Sequence, residues 1–260
     1  MKKCLLVLMT ISCLSSAFSQ TKFREGALWG YKDKKTNAVL IKPKFGYAED
    51  FKDGFAVVSE QAATPNAKKK MKAINLQGAY INDTAYDYLQ NLGQGFFGFA
   101  YKLNNSRYGI LDKSGKVMIQ PELNYVPTIS EGLMVLSNGS KCGAIDLKGN
   151  FVIPYNDYAM SDFKCGVSVV SKGGYQKGLM GKTGAIVYAP DSSGIVTIGY
   201  FNKSCVAEFR KKDNRYGLIS STGKILVQPI YTRTSGLNDN GVMLYKDGVQ
   251  VGFTGTGQKK

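Results

Sequence analysis

Residues 108–141 read YGILDKSGKVMIQPELNYVPTISEGLMVLSNGSK, and they decide the fold. Tyr108 to Asp112 reads as a strand, here strand a. Lys113-Ser114-Gly115 turns the chain, with glycine supplying positive φ. Lys116 to Gln120 is strand b, closed by Pro121, which has no N–H to donate to a ladder. A looser stretch leads through Glu131-Gly132 into strand c, Leu133 to Ser137. Asn138-Gly139 is a tight-hairpin signal into the following strand a. The a–b and c–a turns thus make an antiparallel meander, and the b-to-c stretch steps to the next one.

The pattern recurs along the chain. Units open near residues 29, 71, 108, 142, 177 and 216, with a partial one at 251. Their marker positions are Gly30, Lys72, Gly109, Gly143, Gly178, Gly217 and Gly252, spaced by 42, 37, 34, 35, 39 and 35 residues. One unit cannot stand alone. Anchors such as Ile110, Ile119, Leu133 and Val135 contribute about 1.5–3 kcal/mol each when fully buried. Ordering costs about 1–2 kcal/mol for every backbone residue. Neighbours must complete each other's core, which is the logic of an array. The expectation is an all-β fold of tandem ~35-residue three-stranded β-meander repeats. The chain reads as starting near strand a of the first unit and stopping on strand a of the seventh. Two copies of one strand would compete for one slot. That favours an open twisted array over the alternative, a six-bladed β-propeller-like ring.

Glycine inside a strand needs a reason, because it weakens the strand unless something must come close. A ring lying over the bare backbone is one such reason. Trp29, Tyr108 and Tyr216 are expected to be such rings, and Gly143 and Gly217 to be covered by a neighbouring ring. The pattern (W/Y)-G-x-x-D-x-x-G-x-x-x-I-x-P, followed by E-G-x-x-x-V, resembles the WG (KWG-type) beta-repeat family. The resemblance covers nearly all of residues 27–258 and is strongest at Trp29–Val58, Tyr108–Leu136 and Cys142–Val170. Met71-Lys72 and Lys177-Gly178 depart from the motif, and Cys205 sits where strand c usually starts with Gly. The resemblance implies repeated β-structure, often in bacterial proteins with a secretion signal. It implies no shared catalytic residues and no common ligand.

Lys2 and Lys3, an apolar run from Cys4 to Leu14, and Ala17-Phe18-Ser19 have the layout of a secretory signal over residues 1–19. The repeat domain is then residues 20–260, with a mature end at Gln20. The apolar run is too short to span ~30 Å of hydrocarbon, and no later segment suits a transmembrane segment. The alternative is a lipoprotein acylated at Cys13, although Thr10-Ile11-Ser12 is a poor lipobox. Either way the protein is expected in the periplasm, at the cell surface or outside the cell. Without the leader, 32 Lys and Arg face 19 Asp and Glu, a charge of +13. Three cysteines remain, Cys142, Cys165 and Cys205. An odd count argues against a disulfide framework. Small apolar strand residues are the expected role, with one bridge left open.

The 260-residue chain is 43% hydrophobic and 20% charged, a globular composition. It has no His, which excludes His-based triads, His general bases and His metal sites. No Cys cluster has metal-ligand spacing, and no catalytic residue, metal or cofactor is assigned. Asp112 and Asp146 share one repeat position just before a turn, where capping explains them better than paired catalysis. Gly252 to Gly257 opens no helix, so it is not a phosphate loop. The full chain carries a net charge of +15. Lys68, Lys69, Lys70 and Lys72 follow the Pro65-Asn66 loop with no acid among them. Arg210, Lys211, Lys212 and Arg215 occupy the equivalent c–a turn of a later unit. If such turns share one face, they form a common basic edge able to hold an anionic polymer by counterion release. The functional expectation is a secreted or envelope-associated β-repeat binding scaffold, non-catalytic. Its partner would be a protein or an anionic envelope polymer, a glycan or lipid headgroup. The alternatives are an exported enzyme with a repeat-lined cleft, using Lys, Tyr or carboxylate chemistry, and a purely structural envelope protein. Nucleic acid is not expected, because the chain reads as exported and carries no recognised motif for it.

Overall fold

Two strands show how the repeat dictates burial. In Val117–Leu123, Ile119 and Leu123 are buried while Gln120 and Glu122 face out, the pattern of a strand with one covered face. Leu133–Ser137 is buried at every position instead. Its two faces meet two different sheets: Leu133 and Val135 pack on one side, Met134 and Leu136 on the other. A computed structural model describes residues 20–61, 69–103, 107–173, 176–190 and 194–260. Residues 1–19, over which a signal segment is expected, and Lys68 lie outside the described residues. The chain divides into two compact units, residues 1–85 and 86–260.

The first unit holds one antiparallel sheet in chain order: β1 (Gln20–Glu25), β2 (Leu28–Asp33), β3 (Val39–Ala48), β4 (Phe55–Glu60) and β5 (Met71–Asn75). Strands β2, β3 and β4 are a, b and c of the first repeat, and β5 is the next a. The ten-residue β3 runs on past strand b and pairs with β4, Phe45 opposite Glu60 and Ala48 opposite Val58. Two sequence units therefore merge into one sheet, where separate meanders were expected. Strand β1 was not foreseen; it fills the slot beside β2, from Gln20↔Asp33 to Glu25↔Leu28. Tyr31, Phe45, Val58 and Ile74 form the centre of the core. Tyr31 donates its hydroxyl to the Glu49 carbonyl at 2.7 Å. Burial, then the Asp50 and Glu49 charges, push that phenol up. After β5 only an isolated bridge, Ile74↔Tyr80, continues the meander among the described residues. Without a paired strand b beside it, Lys72 can stand at the glycine position.

The second unit holds five antiparallel sheets. They are β6–β9 (Tyr88–Gly93, Phe96–Ala100, Tyr108–Leu111, Val117–Leu123) and β10–β13 (Ile129–Ser130, Leu133–Ser137, Cys142–Asp146, Phe151–Asn156). Then come β14–β17 (Ala159–Met160, Val167–Lys172, Gln176–Gly181, Ile186–Tyr188) and β18–β21 (Ile195–Ile198, Val206–Lys211, Tyr216–Ser220, Ile225–Tyr231). The last is β22–β24 (Arg233–Thr234, Val242–Lys246, Val249–Phe253). Strands c, a and b lie side by side in each four-stranded sheet, as the turn signals require. The addition is a short first strand before c, so the three-stranded expectation becomes four. No sheet closes into a barrel. Four core clusters of this unit are each shared by two sheets consecutive in the chain. Phe96 and Ile110 meet Met134 and Leu136; Val135 and Ile153 meet Phe163 and Val170. Leu179 meets Phe209, and Leu218 meets Leu244.

The repeated glycine answers to backbone first and to a ring second. Tyr108 pairs with Leu123 but Ile110 with Ile119, so strand b bulges opposite Gly109. A Cβ on Gly143 would lie 2.8 Å from the Ile153 carbonyl oxygen, and one on Gly217 2.5 Å from that of Val227. The Phe209 ring also covers Gly217, from strand c, but only backbone crowds Gly143. The aromatic before the glycine is not the cover that was expected. Tyr108 packs edge-on against Tyr88, and Trp29 lies beneath Lys22 and Arg24.

Candidate functional site

The carboxylates at the a–b turns are caps. Asp112 Oδ1 accepts the N–H groups of Ser114 at 2.8 Å and Lys116 at 3.1 Å. Asp146 Oδ1 does the same with Lys148 at 2.8 Å and Asn150 at 2.9 Å. The Asn150 N–H does most to hold the Asp146 carboxyl below its usual value. Such side chains close the turn on themselves, so neither aspartate is offered to a substrate. Among the described residues, no three Cys, Asp or Glu side chains gather as metal ligands.

The corners before strand c form a seam between consecutive sheets. Glu131, Cys165 and Cys205 occupy these corners with φ of +50°, +55° and +58°. Glu131 accepts the N–H groups of Cys165 at 2.6 Å and Gly166 at 2.9 Å, and Lys182 Nζ lies 3.2 Å from it. At the next corner Cys165 and Cys205 form a disulfide, their Cα atoms 5.5 Å apart. Further on, Lys203 donates its N–H to Asp239 at 2.9 Å, and Asn202 Nδ2 donates to the Gly255 carbonyl at 2.8 Å. The bridge corrects the expectation of three strand cysteines. Only Cys142 is a buried, free strand residue. The overlooked signal was position: Cys165 directly precedes the repeat glycine and Cys205 replaces it, so both sit on turns.

The two basic runs differ. In the first unit Lys69 and Lys70 are exposed. Lys69 Nζ lies 5.6 Å from the Tyr47 ring centre. Lys72 is not left uncompensated as the run alone suggested. Its ammonium lies 3.6 Å from Glu60 Oε1 and 4.5 Å from the centre of the Tyr80 ring. The strand partner opposite the run supplies the acid that the run lacks. In the second unit the other run tops the β19–β20 hairpin. Arg210 donates to Asn214 Oδ1 at 2.6 Å, and Arg215 donates to the Ile230 carbonyl at 3.0 Å. Both guanidinium groups are thus held by neutral acceptors. Lys212 is exposed and Lys211 half-buried.

A groove of about 900 Å³ opens in the second unit. Ser130 of β10, Ala159 and Met160 of β14, and Ile198 of β18 bring the short first strands of three sheets to it. Its floor includes buried Phe163 and Phe201, and its rim carries Asp162, Lys164, Lys177 and Tyr200. Among the described residues Asp162 is the one carboxylate that lines it, and the Thr128 hydroxyl donates to that group. No sequence pattern announced this groove.

The family model for the WG containing repeat matches residues 29–61, 108–142, 143–175 and 216–246, just over half of the chain. No curated protein matches the sequence. Among solved structures, the chain is similar to the computationally designed Ika8 protein at 13% identity, covering 93% of this chain and 85% of that one, with a TM-score of 0.39. Kluyveromyces lactis Hsv2 with complete loop 6CD is 12% identical over 82% and 73%, with a TM-score of 0.42. BamB from Moraxella catarrhalis is 10% identical over 92% and 77%, with a TM-score of 0.38.

Proposed function

The chain belongs to the WG containing repeat family, and on that premise we propose that it is an exported, envelope-associated binding scaffold without catalytic activity, which holds an anionic envelope polymer through basic hairpins. The β19–β20 hairpin carries the proposal. Arg210, Lys211, Lys212 and Arg215 fall within six residues, and among the described residues none makes an ion pair. At ~0.15 M salt the Debye length is ~8 Å, so only close, clustered charges of this kind keep a usable field. Lys69 and Lys70 of the first unit add a second exposed patch. Two features support export: the signal-like composition of residues 1–19, and the Cys165–Cys205 bond, of a kind that persists in oxidising compartments. With one carboxylate on its lining, the groove offers no acid–base pair of the sort a hydrolase uses.

The test is retention of the protein from Gln20 onward on an acidic-glycan surface and on anionic phospholipid vesicles, across a salt series. Neutral vesicles serve as the control. Replacing Arg210, Lys211, Lys212 and Arg215 by Gln is expected to shorten retention and flatten its salt dependence. The glycan and vesicle arms separate the two sources of negative charge. Equal retention of parent and variant on both surfaces overturns the proposal.

A further inference from the structure

Tyr200 breaks the repeat at a place where folding does not ask for it. Every corner has an apolar residue four or five positions before strand c: Phe51, Leu92, Ile129, Phe163, Phe201 and Leu237. Each packs into a core cluster. The residue just before it is small in five of the six corners: Asp50, Asn91, Thr128, Asp162 and Gly236. In the fifth repeat it is Tyr200, and its relative exposure is 100%. The anchor beside it, Phe201, is buried and packs into its core cluster as the other anchors do, so the corner is built normally and the tyrosine is surplus to it. A bare ring in water gives up the burial that usually justifies an aromatic. This one is among the residues that line the groove, together with buried Met160, Phe163 and Phe201.

The charge of the rim narrows the occupant. Lys164 and Lys177 make no ion pair among the described residues. Lys164 feels the Asp239 carboxylate, but that group is held first by the Lys203 N–H and ammonium, the latter at 3.1 Å. Asp162 is engaged by Thr128. The rim therefore offers an aromatic face and two ammonium groups. An extended peptide held by strand addition would need an open strand edge to pair with. β14 is only two residues long, which is too short for strand addition. A sugar chain needs no such edge: its C–H faces lie on a ring, and its carboxylates meet the lysines.

We infer that the groove lined by Tyr200, Lys164 and Lys177 is a subsite for an acidic polysaccharide, binding a uronic-acid segment with one sugar stacked on Tyr200. This rests on the reading of the protein as a binder of anionic envelope polymers, and gives that reading a defined site.

The test is calorimetric titration of the protein from Gln20 onward with an oligogalacturonate. A neutral malto-oligosaccharide and a poly-glutamate peptide of equal length are the controls. The uronide is expected to bind, and both controls to bind much more weakly. Tyr200→Ala should weaken uronide binding about tenfold, the scale of one lost stacking contact. Tyr200→Trp should keep it. Lys177→Gln should weaken it and reduce its salt dependence. Tyr200→Asp restores the residue type of other corners and so folds, yet should behave like Tyr200→Ala. Unchanged affinity in Tyr200→Ala and Tyr200→Asp, or poly-glutamate binding as well as the uronide, overturns the site. If parent protein is held by the anionic surfaces and released by the hairpin substitutions, yet ignores the oligogalacturonate, the groove falls and the scaffold stands. If the uronide binds through Tyr200 while the hairpin variant is retained like the parent, the hairpin reading falls and the groove stands. Binding in neither assay ends both.

Discussion

Gly217 and Gly252 share one place in the repeat but not one environment, and the difference is measurable. A Cβ at Gly217 would meet the Val227 carbonyl oxygen at 2.5 Å and the Phe209 ring at 2.7 Å. The carbonyl belongs to the backbone of the bulged strand β21, held by its pairing with β20, so it cannot retreat cheaply. At Gly252 the nearest atoms are Met243 Sδ at 3.3 Å and the Lys260 side chain, both able to swing away. Gly217→Ala is therefore expected to cost about 1–3 kcal/mol by overpacking. Gly252→Ala should stay within about 0.5 kcal/mol, because a less flexible unfolded chain offsets a small clash. Urea midpoints of the two variants check this. Equal midpoints would show that the bulge carbonyl is not what selects glycine. The same comparison explains Lys72: where strand b is missing, so is the reason for glycine.

At the scale of the element, the corner held by Glu131 ties one sheet to the next. Its carboxylate is partly desolvated, which raises its pKa. The N–H of Gly166, the Lys182 ammonium and the N–H of Cys165 outweigh that and leave it lowered. A lowered carboxyl adds stability above its unfolded value, about 4.3, and loses it as pH falls through the folded value. Glu131→Gln is expected to lower the urea midpoint at neutral pH by the equivalent of about 1–3 kcal/mol. It should also shrink the gap between midpoints at neutral and at acid pH. A variant whose midpoint falls equally at both would place the loss in packing and not in charge. This corner also shows where reading the sequence stops. Strands a, b and c were legible because each has several residues of alternation bounded by Gly, Pro or Asn-Gly. Strands β10, β14 and β22 were not, because two residues carry no period. Strand β1 was missed because QTKFRE holds a single apolar residue, Phe23. The basic runs could be found by composition, but Glu60, which pairs with Lys72, is 12 residues away in sequence. The groove needed three first strands brought together, and no local pattern records that.

Across the second unit, four core clusters of the described residues each join two consecutive sheets, so stability is built from a chain of nearest-neighbour contacts. Such a chain is as strong as its weakest junction. The junction between β14–β17 and β18–β21 is the one that carries a covalent link. Cys165 and Cys205 are 40 residues apart, and closing a loop of that length is worth about 4 kcal/mol on the chain-entropy account. The bond has an opposing cost. Cys205 stands at the repeat's glycine position with φ of +58°, where a side chain is disfavoured by about 1–2 kcal/mol. Substituting Cys165→Ser and Cys205→Gly together removes the link and relieves the turn. The two effects have opposite signs, and the larger is the link. The double variant is therefore expected to be less stable than the oxidised parent by about 2–3 kcal/mol. It should be more stable than the reduced parent, because only the variant has regained glycine. Urea midpoints of oxidised parent, reduced parent and double variant should fall in the order oxidised parent, variant, reduced parent. Thiol counting on denatured, unreduced protein from Gln20 onward should find only Cys142 reactive. Three reactive thiols in that protein, or a midpoint that reductant does not move, would show that this junction is held by packing alone.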